Sequence, residues 1–400
     1  MILIKTRIPE KITIIRKVLF AAALIFSAWG CTTEKTEAEN QAERLTIVSW
    51  NVLALFDGND DGFEYPEYKG DAGWNSEKYQ ARLNEISGAV MDGLNPDILA
   101  LVEVENYGVM QNLAEHPKMD YHWFFFANAP GASLGVGVLS RFPLIETKAH
   151  SVHFSLGNIP RPVAEVRVDT GSGPLVLFVC HWKSKLGGEK QTELMRRAAA
   201  GIIARRIEEI AAEDPSIPVI VMGDLNENYD EFTRIGGAYI CALLPDTGEA
   251  AELAAAFSGS LTPGGLQRSE LSPGLQDFLI VSGQKPPEAV HFNGAAVYSP
   301  WLDYPGGKGS YHYKDDWETI DHFLLNSALF DEQGWEYENF NVFSDPPFTR
   351  ASGIPYPYNP KTGNGLSDHL PIVLTLSQNH QGFTHNFSHG GDHKDSKNTK

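Results

Sequence analysis

Ile217-Pro-Val-Ile-Val-Met222 is followed at once by Gly223-Asp224-Leu225-Asn226. A short, β-rich apolar run bounded by Pro and Gly reads as a strand, and a carboxylate and an amide stand where it ends. The pattern recurs along the chain. Residues 45–50, 98–102, 121–126, 134–139, 163–168, 175–180, 320–325 and 370–376 are also short apolar runs with polar or Gly/Pro punctuation. Two segments read as helices. Residues 76–94 carry Leu83, Ile86, Val90 and Leu94 at helical spacing ahead of Asn95-Pro96, and residues 192–212 stop before Asp214-Pro215. Many strands with a few helices between them predict a layered α/β sandwich.

Polar residues interrupt these strands at their ends. Asn51 closes the first, Glu103 the second and His181 the run 175–180; Asp224 and Asn226 follow 217–222. Two further pairs have the opposite order. Asp321-His322 opens Phe-Leu-Leu, and Asp368-His369 precedes Leu-Pro-Ile-Val-Leu. Antiparallel neighbours bring the end of one strand beside the start of the next, so all six clusters can meet at one edge. One strand-end Asp or Asn is ordinarily a cap or turn; six together form a pocket of carboxylate, amide and imidazole. Oxygen-rich donors of this kind suit Mg²⁺, Mn²⁺ or Ca²⁺. A His₂-carboxylate zinc site is disfavoured, because no HxxxH or HxH pair occurs outside the C-terminal tail.

Ser-Trp-Asn51, Leu-Val-Glu103-Val, His181-Trp-Lys-Ser, Gly-Asp224-Leu-Asn226, Ile-Asp321-His and Ser-Asp368-His369-Leu-Pro, in this order, resemble the motifs of the endonuclease/exonuclease/phosphatase superfamily. That superfamily includes pancreatic-type deoxyribonuclease, AP endonucleases, neutral sphingomyelinases and inositol polyphosphate 5-phosphatases. The resemblance covers residues 45–376. It implies a four-layer α/β/β/α sandwich with two packed mixed β-sheets. It implies Glu103 as principal metal ligand, assisted by Asn51 and Asp368, with Mg²⁺ as the cation and Mn²⁺ or Ca²⁺ as substitutes. Asp224 and Asn226 resemble the pair that orients or deprotonates the attacking water. His369, hydrogen-bonded to Asp321, resembles the histidine that contacts the scissile phosphate or acts as a base. His181 resembles a second histidine that serves as acid for the leaving oxygen, and Arg161 a phosphate-contacting arginine. In the deoxyribonuclease branch a Glu on an earlier strand pairs with that second histidine. The corresponding run here, Leu134-Gly-Val-Gly-Val-Leu, has no acid, which favours His181 as a phosphate binder.

Branch signatures narrow the resemblance. Glu227-Asn228 stands where the inositol phosphatase motif has Arg, Met222 replaces its aromatic, and Trp317-Glu-Thr-Ile-Asp321-His departs from the AP endonuclease pattern. Asn51-Val-Leu-Ala-Leu-Phe-Asp57, the acidic loop after it, and His181-Trp-Lys-Ser-Lys-Leu-Gly-Gly188 are similar to bacterial exported nuclease-like proteins. The implied activity is phosphodiester hydrolysis of DNA or RNA. Two alternatives stay open: a phosphatase or sphingomyelinase-like diesterase of lipid head groups or small phosphates, and a non-catalytic surface protein on this scaffold.

The remaining signals concern charge and the termini. The net charge of −19 argues against tight non-specific nucleic-acid binding but not against a nuclease with a small basic rim. Lys5, Arg7, Lys11, Arg16 and Lys17 precede a short apolar run from Val18 to Trp29, the form of a secretion signal. Ala28-Trp29-Gly30-Cys31 resembles the bacterial lipobox. The expected plan is a signal peptide over 1–30, a flexible tether over 31–44, one catalytic domain over 45–377 and a disordered tail over 378–400 bearing His380, His385, His389 and His393. It describes a monomer, exported and lipid-anchored to the cell envelope through Cys31, or otherwise secreted. Asp57-Gly-Asn59-Asp-Asp61-Gly62 matches the first half of a Ca²⁺ loop, with Tyr68 where an EF-hand needs Glu. The ordinary reading there is a solvated acidic loop, with a structural Ca²⁺ at Asp57, Asn59 and Asp61 as the alternative. Cys180 and Cys241 read as buried free thiols, and residues 228–318 and 345–366 as long excursions near the site.

Overall fold

The computed structural model describes residues 43–154, 157–258 and 276–378. The expected signal peptide, the Cys31 anchor, almost all of the tether and the tail beyond Gln378 lie outside these residues.

In chain order the main elements are β1 (Glu43–Leu55), α1 (Ser76–Ala89), β2 (Ile98–Val104), α2 (Tyr107–Ala114), β3 (Trp123–Ala127), β4 (Gly135–Ser140), β5 (Leu144–Phe154), β6 (Gly157–Asp169), β7 (Pro174–His181) and α3 (Glu189–Glu213). Then come β8 (Val219–Asp224), α4 (Glu231–Arg234), β9 (Leu243–Pro245), α5 (Gly248–Ser258), β10 (Leu279–Ser282), β11 (Ala296–Tyr298), β12 (Tyr311–Tyr313), β13 (Asp316–Glu318), β14 (Asp321–Leu325), β15 (Glu336–Val342) and β16 (Ile372–Gln378). One mixed sheet has the order β15-β16-β1-β2-β4-β3, and a second the order β5-β6-β7-β8-β14-β11-β10-β9. β12 and β13 form a separate hairpin.

The alternation of side chains explains the layers. On β7, Leu175, Leu177 and Val179 join the core shared with the first sheet, while Val176, Phe178 and Cys180 face the other way. On β8, Ile220 and Met222 point inward and Val219 and Val221 outward. Period-two strands that are apolar on both faces need cover on both. The outer cover is α3, whose Ala199, Ile203, Ala204, Ile207 and Ile210 pack on the outward set. Tyr79, Leu83 and Ile86 of α1 and Val109, Met110 and Leu113 of α2 join the core of the first sheet. The result is the expected sandwich of helices, two mixed sheets and helix.

Each apolar run read from the sequence lies in or overlaps a strand. The helix expected over 76–94 is α-helical to Ala89 and closes with a wider π turn over Val90–Leu94, ended by Asn95 at φ 43°. α3 starts ahead of Thr192 because Gly187 and Gly188 make its entry turn at φ 103° and 107°, and the Thr192 hydroxyl donates back to the Gly188 carbonyl (2.9 Å). Residues 228–318 are not simply an excursion near the site. They supply β9, β10 and β11, which extend the second sheet beyond β14, and a satellite core that includes Phe232, Cys241, Leu244 and Ile280. Cys180 and Cys241 are both buried and free.

Candidate active site

The sheet registers bring the polar strand ends together. β7 and β8 run parallel with His181 level with Asp224, and β8 and β14 run antiparallel with Asp224 level with Asp321. In the other sheet β1 and β2 run parallel with Asn51 level with Val102, one residue before Glu103. His369 leads into β16, the antiparallel neighbour of β1. Asn51 Nδ2 crosses between the sheets, donating to Glu103 Oε1 (3.3 Å) and Asp224 Oδ2 (3.1 Å). His181 Nε2 lies 3.8 Å from Glu103 Oε1 and 3.7 Å from Asp224 Oδ2. Trp50, fully buried, donates its Nε1–H to the His369 carbonyl (3.0 Å) and meets Phe348 edge-on.

Strained backbone gathers at the same edge. Leu53, Ala54 and Glu103 have φ of 56°, 53° and 68°, left-handed values that cost non-glycine residues roughly 1–3 kcal/mol each. The register of β1 on β2 shifts between Asn51 and Leu55, and such bulges re-aim side chains. Arg82 of α1, itself buried, pins this turn: its Nη2 donates to the carbonyls of Val52 (2.6 Å) and Leu53 (2.5 Å). The Ala54 amide then donates to Glu103 Oε2 (2.9 Å), and the Leu53 amide to Asn51 Oδ1 (3.0 Å). Asn51 therefore ties Glu103 to Asp224 with its NH₂, while its oxygen serves the turn. Gly223 sits at φ 121°, where a Cβ would lie 2.1 Å from the Cys180 carbonyl; only glycine lets β7 and β8 approach this closely beside Asp224.

Burial and neighbouring charge set the protonation pattern. Burial pushes the Asp224 carboxyl up to about 7, with His369 opposing and Asp321 adding to the rise. Burial, then the charge of Asp368, also raises the Glu103 carboxyl. Burial works against charge on His369, but Asp321 outweighs it and holds the imidazole up at about 10. The contact is short, 2.7 Å from His369 Nδ1 to Asp321 Oδ2. His181 is driven well below the ordinary histidine range by burial and by Arg161 and His369. Near neutral pH His369 is therefore the charged imidazole and His181 the neutral one. A neutral His181 does not suit the acid role that the resemblance offered. It suits the phosphate-binding one, as a neutral N–H donor.

Arg161 and Asn226 converge on one acceptor. Asn226, at φ 52°, donates through Nδ2 to the Trp182 carbonyl (3.1 Å), and its amide donates to Asp224 Oδ1 (2.9 Å). Arg161 Nη1 donates to the same Trp182 carbonyl. Asp368 Oδ1 is buried with no hydrogen-bond partner among the described residues, and its charge bears on Glu103. Two mutually repelling carboxylates, one with an unfilled buried acceptor, fit a hard divalent cation.

Two tyrosines absent from the sequence reading flank the pocket. Tyr311 lies face to face with His369, ring centroids 4.5 Å apart. The phenol of Tyr65 is raised by burial and then by Glu103, with Arg161 opposing. In the acidic loop the carboxylates have local partners. Asp57 spends its carboxylate on the Asn59 amide (2.7 Å) and on Asn106 Nδ2 (3.0 Å). The group that converges is Asp61 with Glu64 and Glu105. Glu64 also accepts from the amides of Asp61 (2.6 Å) and Gly62 (2.8 Å).

Residues 46–235 match the model of the Endonuclease/Exonuclease/phosphatase family. No curated protein matches the chain. Solved structures similar to it include truncated TDP2 of Caenorhabditis elegans (16% identity over 84% of this chain and 97% of that chain, TM-score 0.48). A second is an endonuclease/exonuclease/phosphatase family protein of Bacteroides thetaiotaomicron (13%, 89% and 100%, TM-score 0.47). A third is the human nocturnin catalytic domain with bound sulfate (15%, 84% and 97%, TM-score 0.47).

Proposed function

Residues 46–235 belong to the endonuclease/exonuclease/phosphatase family of phosphoester hydrolases, and on that footing we propose that this chain is a metal-dependent phosphodiesterase, acting as a nuclease on DNA or RNA. The observation that carries the reading is the convergence of Asn51, Glu103, His181 and Asp224 with the Asp321–His369 pair at one edge.

Glu103 and Asp368 would hold the cation, with Asn51 bracing Glu103. Bound Mg²⁺ would supply Lewis-acid polarisation of a phosphoryl oxygen. Asp224, held near neutrality, takes a proton from the attacking water; Asn226 keeps its other oxygen oriented. The water oxygen bonds to phosphorus as the bond to the leaving oxygen breaks. His369, kept charged by Asp321, is the group able to protonate that oxygen. Neutral His181 and Arg161 offer N–H donors to the phosphoryl oxygens, where preorganised donors count most.

One observation favours a second reading, a diesterase of lipid head groups. Leu186, 84% exposed, lies on the loop that follows His181, and Phe63, 56% exposed, lies on the loop that follows β1. Exposed apolar side chains on site-flanking loops suit a lipid surface. A panel of plasmid DNA, RNA, sphingomyelin vesicles, inositol phosphates and a bis-aryl phosphodiester separates the readings. Nucleic-acid cleavage abolished in Asp224→Asn supports the first. Turnover confined to sphingomyelin refutes it in favour of the second. The proposal includes export and lipid anchoring, supported by the N-terminal leader and lipobox-like Cys31; palmitate labelling that persists in Cys31→Ser would refute that part.

A further inference from the structure

The Asp321–His369 pair is not held by its own strands alone. The segment that leads into β12, with the first residue of that strand, reaches both partners. Ser310 Oγ donates to Asp321 Oδ2 (2.6 Å), the same oxygen that accepts from His369 Nδ1. The Ser310 carbonyl accepts from the Leu370 amide (2.7 Å), and Tyr311 forms an antiparallel bridge with His369. The Tyr311 ring covers one face of the imidazole at 4.5 Å and 30°. Ser310, Asp321 and His369 are all buried. Gly309 keeps the segment in place: the Ser310 amide donates to the Glu318 carbonyl (3.0 Å), and a Cβ on Gly309 would lie 1.9 Å from that oxygen.

We propose that Ser310 and Tyr311 are positioning residues for His369, a clamp in which the serine hydroxyl fixes the carboxylate oxygen that orients the imidazole and the tyrosine ring fixes its plane. The inference rests on the phosphodiesterase reading in taking His369 as a working group. A ring guided by a single hydrogen bond can still swing about its Cβ–Cγ bond. A stacked ring on one face and a doubly hydrogen-bonded carboxylate at Nδ1 together remove that freedom, leaving Nε2 toward Asp368 (4.0 Å from Oδ1). Small angular errors in such a group are costly, because catalytic geometry is tight. The clamp also assigns a use to the β12–β13 hairpin, which belongs to neither large sheet.

Two readouts on the purified full chain test this. The first is the downfield proton resonance of the His369 Nδ1–H, identified by its loss in His369→Gln; a short bond to a carboxylate deshields this proton. The second is kcat and KM on whichever diester the wild type cleaves. Ser310→Ala removes one oxygen without disturbing the packing; Tyr311→Ala removes the ring; Tyr311→Phe keeps it. The first two are expected to shift or broaden the resonance and to lower kcat about ten- to a hundredfold, with KM within about twofold. Tyr311→Phe is expected to behave as wild type in both readouts. An unchanged resonance in Ser310→Ala and Tyr311→Ala overturns the clamp. So does a Tyr311→Phe variant as impaired as Tyr311→Ala, since the phenol oxygen would then be the working part. If the wild type cleaves no phosphoester, the functional reading falls, yet the resonance still decides whether the clamp exists.

Discussion

Arg82 meets two carbonyls with one nitrogen, a phenol at Tyr68 (3.1 Å) and the face of Tyr358 (3.7 Å to the ring centre). It holds Leu53 and Ala54 in left-handed backbone, and Ala54 in turn binds Glu103. Arg82→Met keeps most of the volume and loses the charged donors, so it should cost about 2–3 kcal/mol in urea unfolding. It should also weaken hydrolysis, because Glu103 loses its aim. Stability loss with full activity would show that the turn does not serve the site. At this scale the strand-end residues were legible, since Asn51, Glu103, His181, Asp224 and Asp321 interrupt apolar runs. Arg82, Ser310, Tyr311 and Tyr65 were not. An arginine inside a helical pattern reads as a solvated face, and nothing local in Gly309-Ser310-Tyr311 reveals that it will fold against a histidine far along the chain. In the acidic loop, the spacing marks Asp61 but not Glu64 and Glu105, which the fold brings beside it.

β5, β6 and α3 are joined by a buried carboxylate. Glu165 of β6 accepts from Arg206 of α3 (2.9 and 2.8 Å) and contacts His150 Nε2 of β5 (2.6 Å). Burial alone would raise this carboxyl, but the hydrogen bonds of His150 and Arg206 hold it down at about 2. A carboxyl depressed in the folded state stabilises above its unfolded value and loses that contribution as pH falls through its folded value. Stability should therefore drop between about pH 4.5 and pH 2, by on the order of 2–3 kcal/mol. Glu165→Gln should flatten that part of the curve while lowering stability near neutrality. A curve that is unchanged below pH 4.5 in Glu165→Gln would contradict this. Elements were unevenly legible. Central strands such as β7 and β8 are apolar on both faces and stand out. β5 and β15 are edge strands with polar residues toward solvent, and sequences such as Glu336-Tyr-Glu-Asn-Phe do not mark a strand without their neighbour. β9, β10 and β11 are too short to carry a period.

Across the whole molecule, two mixed sheets face each other so that strand ends from both supply one pocket. The sandwich was legible because many short apolar runs with few helices leave little other choice. The placement of residues 228–318 was not, because the far edge of the second sheet is built from Gly- and Pro-rich sequence whose partners are distant. The overall charge of −19 gives the pocket a special position: Arg161 and charged His369 sit among Glu103, Asp224 and Asp368, and a divalent cation would complete the balance needed to receive a phosphate. The most direct test is hydrolysis of a bis-aryl phosphodiester by the full chain with Mg²⁺, after chelation, and after Mg²⁺ is restored, alongside Glu103→Gln and Asp224→Asn. A metal-dependent diesterase built on this pocket gives turnover that chelation abolishes and Mg²⁺ restores, with each variant reduced about a hundredfold or more at an unchanged unfolding midpoint. Turnover indifferent to chelation, or preserved in both variants, would contradict it.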